Sequence, residues 1–272
     1  MTFEMRIATL AAIITLTMAT GRSAVASESA PRRSLDGRDL FSLQWVSDPQ
    51  IRPDGKMVAY VRHGYDEMSD REVQSIWLVD VATGEQKQVG AAGLYFSPRW
   101  SPQGDRLGYL FSGPDGKNTQ IGVYSVRTGQ TTAISAGEQT PREIAWSPDG
   151  HSIAFLMRVA EPPLTLGAAL QKPAGASWAD PLRVIDAVNF RADGKGYLKR
   201  GYSHVFVVPA EGGAARQVSF GPYTEVGPLA WTPDGAHLLL TSNRDKDWER
   251  EPMDASGSHP RHQTIYRLSL AD

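Results

Sequence analysis

Ile144-Ala-Trp146-Ser-Pro148-Asp149-Gly150-His-Ser-Ile-Ala-Phe155 is the stretch on which the fold turns. Proline fixes φ at the first central position of a tight turn, aspartate tolerates the second, and glycine takes the positive-φ conformation that follows. A strand therefore ends at Trp146-Ser147 and another starts after Gly150, with Ile153 and Phe155 alternating against Ser152 and Ala154. The phrase recurs three more times: Asp48-Pro-Gln-Ile-Arg-Pro53-Asp54-Gly55-Lys-Met-Val-Ala-Tyr60, Pro98-Arg-Trp100-Ser-Pro102-Gln103-Gly104-Asp-Arg-Leu-Gly-Tyr109 and Leu229-Ala-Trp231-Thr-Pro233-Asp234-Gly235-Ala-His-Leu-Leu-Leu240. A unit of this length buries its faces only by stacking on its neighbours, so Trp100, Trp146 and Trp231 are expected between units.

Each phrase is followed by a second hairpin. Ile76-Trp-Leu-Val-Asp80 turns at Thr83-Gly84 into Gln88-Val89, Ile121-Gly-Val-Tyr-Ser-Val126 turns at Thr128-Gly129 into Thr132-Ala-Ile134, and His204-Val-Phe-Val-Val208 turns at Gly212-Gly213 into Arg216-Gln-Val218. Two hairpins make one four-stranded blade, so the fold class is all-β, a β-propeller of four-stranded blades. About four blades are expected over residues 39–272, at 48–90, 97–135, 142–220 and 226–272. The third carries an insertion at 157–203, with a helical turn at Leu164 to Leu170 and an extra hairpin at Val188 to Leu198, and the fourth carries one at 243–263. Both insertions lie between the second and third strands, and so leave from one blade edge, where repeat folds build binding faces.

The fourth unit is incomplete, because Thr264-Ile-Tyr-Arg-Leu-Ser-Leu270 is its third strand and a fourth is still due. Either Leu40 to Val46 supplies that strand and closes a four-bladed ring, or the chain is a piece of a longer propeller. The second reading is preferred, since four blades sit at the lower limit of the usual range of about 4–8.

Ahead of the repeats, Met1 to Arg6 hold a basic residue and Ile7 to Ala19 form an apolar stretch too short to span a bilayer. With Ala24-Val25-Ala26 as the small-x-small site, residues 1–26 read as a signal peptide, Ser27 as the mature start and 27–38 as a flexible arm. Export to a periplasmic or extracellular compartment follows. Losing Glu4, Arg6 and Arg22 takes the formal charge from −2 to −3, which favours neither nucleic acid nor an anionic membrane as partner. The chain has no cysteine, which excludes disulfides, thiolate metal sites and a cysteine nucleophile.

The nearest approach to a hydrolase nucleophile elbow, Gly-x-Ser-x-Gly, is Gly201-Tyr-Ser203-His204-Val205, whose last position is valine and which runs into a strand. His259 and His262, with Glu251 and Asp254 nearby, are separated by Pro260 and read as a solvated loop. The aspartates at 54, 115, 149, 193 and 234 each stand alone before a glycine, which is turn chemistry and not a calcium loop. No catalytic, metal or cofactor-binding residue is therefore expected, and the chain alone should be inactive.

Trp-Ser-Pro-Asp-Gly followed by an apolar strand resembles the repeat of the periplasmic TolB-type propellers and of the N-terminal propellers of prolyl oligopeptidase-family (S9) serine peptidases. Asp39-Leu-Phe-Ser-Leu43, Val46-Ser-Asp-Pro-Gln-Ile51, Asp193-Gly-Lys-Gly-Tyr197, His204-Val-Phe-Val-Val-Pro209, Ser242-Asn-Arg-Asp245 and Asp247-Trp-Glu249 resemble the acylaminoacyl and dipeptidyl peptidases of the second group. That resemblance implies a seven- or eight-bladed propeller in front of an α/β-hydrolase domain with Ser, Asp and His, the propeller admitting short peptides and excluding folded proteins. A peptide substrate or that missing domain would be the partner. Some dipeptidyl peptidases hold the substrate amino terminus with paired glutamates; Glu249 and Glu251 are not adjacent, and the role is not carried over to them. The alternative, a stand-alone TolB-like propeller that binds a protein or peptide, is weakened because those proteins place an α/β domain before the propeller. WD40 repeats are disfavoured by the lack of Gly-His and Trp-Asp signatures.

Overall fold

The four proline turns are built alike in the computed structural model. The amides of Gly55, Gly104, Gly150 and Gly235 donate to the carbonyls of Arg52, Ser101, Ser147 and Thr232 at 2.8–2.9 Å, and each glycine sits at φ between +70° and +73°. That left-handed conformation is the reason for glycine at each position. Where aspartate precedes the glycine, its carboxylate staples the turn: Asp149 accepts from the Ser147 hydroxyl and the His151 amide, and Asp234 from the Thr232 hydroxyl and the Ala236 amide. The hydroxyl donors hold both carboxyls below the ordinary carboxylate range.

The structure describes residues 34–90, 93–113, 118–135, 140–162, 164, 167, 171–179, 183–185, 190–193, 196–242, 244 and 264–270. A short helix, α1 (Asp39–Ser42), leads into β1 (Trp45–Ile51), β2 (Met57–Asp66), β3 (Arg71–Asp80) and β4 (Gln86–Val89). The second antiparallel set is β5 (Leu94–Trp100), β6 (Arg106–Ser112), β7 (Gln120–Ser125) and β8 (Thr131–Ala133), joined to the first by one parallel pairing of Gln74 with Leu94. The third combines β9 (Pro141–Trp146), β10 (Ser152–Ala160), β13 (Gly201–Pro209) and β14 (Arg216–Gln217), with the small hairpin β11 (Arg191–Ala192) and β12 (Gly196–Tyr197) between its middle strands. β15 (Glu225–Trp231), β16 (His237–Ser242) and β17 (Thr264–Ser269) form a three-stranded fourth set. The regular structure of the described residues is nearly all strand, the fold is that of a β-propeller, and each set has the antiparallel order expected of a blade. Leu40 to Val46, one candidate for the closing strand, divides between α1 and the start of β1.

The tryptophans lock each blade to the one before it. Trp100 Nε1 donates to the Gln50 carbonyl at 2.9 Å, Trp146 Nε1 to Arg99 at 2.9 Å, and Trp231 Nε1 to Ala145 at 3.0 Å. These acceptors occupy one register position, and the residues paired with them on the second strand are Ala59, Gly108 and Ala154. Small residues make the room: a Cβ on Gly108 would lie 2.9 Å from Trp146 Nε1.

Three core clusters fill the three junctions, represented by Ile76 with Leu107, Leu110 with Ile153, and Leu156 with Leu238. Ile153, Ala154, Phe155 and Leu156 are all buried, so β10 does not alternate between core and solvent. A blade with neighbours on both sides has two buried faces. The first strands also share a bulge, with Asp48, Ser97 and Glu143 at φ of 48°, 53° and 51°, each three residues before the position that tryptophan occupies in the second and third blades.

Candidate functional site at the loop-bearing edge

β10 ends at Ala160, β13 begins at Gly201, β16 ends at Ser242 and β17 begins at Thr264, so the connections 161–200 and 243–263 leave the third and fourth blades from equivalent ends. The register pairs Arg158 with Ser203, Leu156 with Arg142, Glu225 with Ser242, and Ser242 with Thr264. The stems of the longer connection are held closed: Glu161 donates its amide to the Arg200 carbonyl at 3.2 Å, and the two side chains pair at 3.6 Å. Arg158 Nη2 donates to the Lys199 carbonyl across the same stem. Burial, reinforced by the neighbouring Arg142, pushes the Arg158 pKa down.

Ser203 lies inside β13, fully buried, and its hydroxyl accepts a hydrogen bond from Arg142 Nη2. A guanidinium keeps its proton at any working pH and cannot act as a base. His204 is adjacent in the strand and therefore projects to the opposite face of the sheet. Its Nδ1 is buried without a hydrogen-bond partner, and burial pushes its pKa down. Nucleophile and base are not brought together here, and Ser203 sits on a strand where a nucleophile elbow needs a strand-to-helix turn.

The strongest polar constellation of this edge is one that sequence reasoning missed. Glu225, the first residue of β15, is completely buried, and Arg244 Nη2 donates to its Oε1 at 3.0 Å. The Arg244 guanidinium stands 4.2 Å from the ring centroid of Tyr223 and 3.9 Å from that of Tyr266, a sandwich between two aromatic faces. Burial pushes the Glu225 carboxyl up, with Arg244 opposing the shift. Arg244 belongs to the Ser242-Asn-Arg-Asp245 phrase, so that phrase fastens the root of the second connection to the blade.

His259, His262, Asp254, Glu249 and Glu251 lie outside the described residues, as do Asp115, residues 1–33 with the expected signal peptide, and all of the 164–170 turn except Leu164 and Gly167. Among the described residues, no group of three or more His, Cys, Asp or Glu is placed to hold a metal ion, and no helix is long and apolar enough to cross a membrane. The aspartate of the Asp54-Gly55 turn accepts from the Lys56 amide at 3.0 Å, as turn chemistry requires.

No family model matches the chain. The chain is 27% identical over 235 residues to the uncharacterized peptidase YuxL of Bacillus subtilis, a match that takes in 84% of this chain and 33% of that one. The acylaminoacyl peptidase of Pyrococcus horikoshii superposes with a TM-score of 0.62 at 18% identity, over 88% of this chain and 33% of the other. An acylaminoacyl peptidase in complex with Z-Gly-Gly-Phe-chloromethyl ketone superposes at 0.58 and 17% identity, over 87% and 33%. The chain thus spans about a third of the length of the curated relative it matches. It is related to the prolyl oligopeptidase-family (S9) peptidases over that third, as a portion with the β-propeller fold.

Proposed function

We propose that this chain is the non-catalytic propeller portion of an exported S9 serine peptidase that acts on short peptides, serving as substrate gate and as scaffold for an α/β-hydrolase domain. The observation that carries the reading is the match to YuxL over a third of that peptidase, by a segment whose described residues fold mainly into antiparallel blade sheets. The chemistry of the loop-bearing edge agrees with it. Ser203 is capped by Arg142, a guanidinium that cannot act as its base, and peptide hydrolysis is therefore assigned to another domain. Export rests on the signal-peptide reading of residues 1–26.

Gating follows from mechanics. Each junction is closed by a tryptophan indole and a hydrophobic cluster, so the blades form a stiff wall, and the connections at 161–200 and 243–263 are the parts free to differ in length. The purified chain is expected to hydrolyse no acyl-peptide or dipeptide chromogenic substrate. Reading the locus past codon 272 tests the parentage. A stop codon there, with no hydrolase domain in frame or just downstream, would overturn the proposal. Turnover that survives purification and is abolished by Ser203→Ala would overturn the non-catalytic assignment.

A further inference from the structure

At two of the three blade junctions a guanidinium closes the same place. Arg52 Nε donates to the Gly104 carbonyl at 2.7 Å and lies 5.9 Å from the Trp100 ring centroid. Arg106 Nη2 donates to the Gly150 carbonyl at 2.7 Å and lies 5.1 Å from Trp146. The two arginines come from different positions of their turns, Arg52 before the proline and Arg106 at the start of β6. Two unrelated placements thus converge on one arrangement, in which a guanidinium covers the indole of the next blade and caps its turn-glycine carbonyl.

The third junction is different. The counterpart of Arg52 is Ser147, and the counterpart of Arg106 is Ser152, as the matching Ser101-to-Arg106 and Ser147-to-Ser152 backbone bonds at 2.9 Å establish. Neither serine reaches the next blade as an arginine does. A cleft of about 450 Å³ stands there, with Ser147, Asp149, Ser152, Arg216, Trp231, Asp234 and Gly235 in its lining. Two carboxylates against one guanidinium leave the lining net negative, and the half-buried Trp231 offers the indole face that a cation prefers.

We infer that this cleft is a binding site for the guanidinium of an arginine side chain presented by a peptide, seated over Trp231 as Arg52 and Arg106 are seated over Trp100 and Trp146. The planar, permanently charged fork suits a carbonyl beside an aromatic face better than an ammonium does. The inference is independent of the peptidase reading, because it rests on junction geometry alone.

The test follows the Trp231 indole N–H resonance of the nitrogen-15-labelled chain, assigned with Trp231→Phe. Titration with N-acetyl-arginine amide should give a saturable shift. The isosteric but uncharged N-acetyl-citrulline amide should bind at least tenfold more weakly, and free arginine, whose carboxylate meets Asp149 and Asp234, more weakly than the amide. Ser152→Arg should supply the missing side chain from within, abolish the response and raise Tm; should that variant not fold, Ser152→Lys provides the same block. Equal shifts from arginine and citrulline amides would overturn the inference, as would arginine binding that persists in a folded Ser152 variant. Tighter binding of free arginine than of the amide would overturn the peptide assignment.

Discussion

Single residues set the spacing between blades. Gly108 is glycine because the Trp146 indole, fixed by its bond to the Arg99 carbonyl, occupies the place of a Cβ at 2.9 Å. Gly108→Ala must push aside a ring held on both sides, and overpacking of this kind costs about 1–3 kcal/mol. Urea unfolding of the variant should show that loss as a lower midpoint with an unchanged slope. Glu225 gives a second test at this scale. Burial raises its folded pKa above the ordinary 4.5, so the native state binds the proton more tightly than the unfolded chain does. Its stabilising contribution is therefore complete below the unfolded value and declines as pH rises from there through the folded value. Glu225→Gln should flatten stability against pH across that window, and an unchanged slope would show that Arg244 cancels the burial.

Elements show why part of the structure could be read from the chain and part could not. The turns were legible because their chemistry is local: proline, aspartate and glycine each answer a backbone demand at their own position. Gly235 isolates that demand, since a Cβ there would meet nothing closer than Pro148 Cδ at 3.9 Å, while φ stays at +70°. Gly235→Ala should then cost about 1–2 kcal/mol from left-handed strain alone, and Gly235→Asn clearly less, since asparagine visits that region more readily. Equal losses in thermal melts would point to a steric cause instead. The hairpin at β11 and β12 was legible for the same local reason, within the segment Val188 to Leu198. Pairings created by register were not legible. Glu225 meets Arg244 because β15 aligns Glu225 with Ser242, and no spacing rule links residues that far apart in sequence.

For the molecule as a whole, the junctions follow one rule of volumes whose exceptions lie at the two outer faces. Trp100, Trp146 and Trp231 each pack where the preceding blade offers Ala59, Gly108 or Ala154. In the fourth blade the same register position, opposite Ala230, is Leu239, and in the first blade the tryptophan position is Ile51. Both are open, Leu239 at 36% and Ile51 at 70% exposure. Bulk has moved from one side of the interface to the other, so a blade that packs on the fourth should carry an aliphatic residue, not an indole, at that position. Equivalent positions should consequently respond in opposite ways to substitution. Ala154→Leu drives a side chain into Trp231 and should cost about 1–3 kcal/mol, whereas Leu239→Ala, at a partly open site, should stay within about 0.5 kcal/mol. Denaturant unfolding of both variants, with sedimentation of the parent chain, checks the contrast. If Leu239→Ala instead loses the roughly 2–5 kcal/mol of a buried leucine, the face is covered in solution, and a dimeric sedimentation coefficient would name a second copy as the cover.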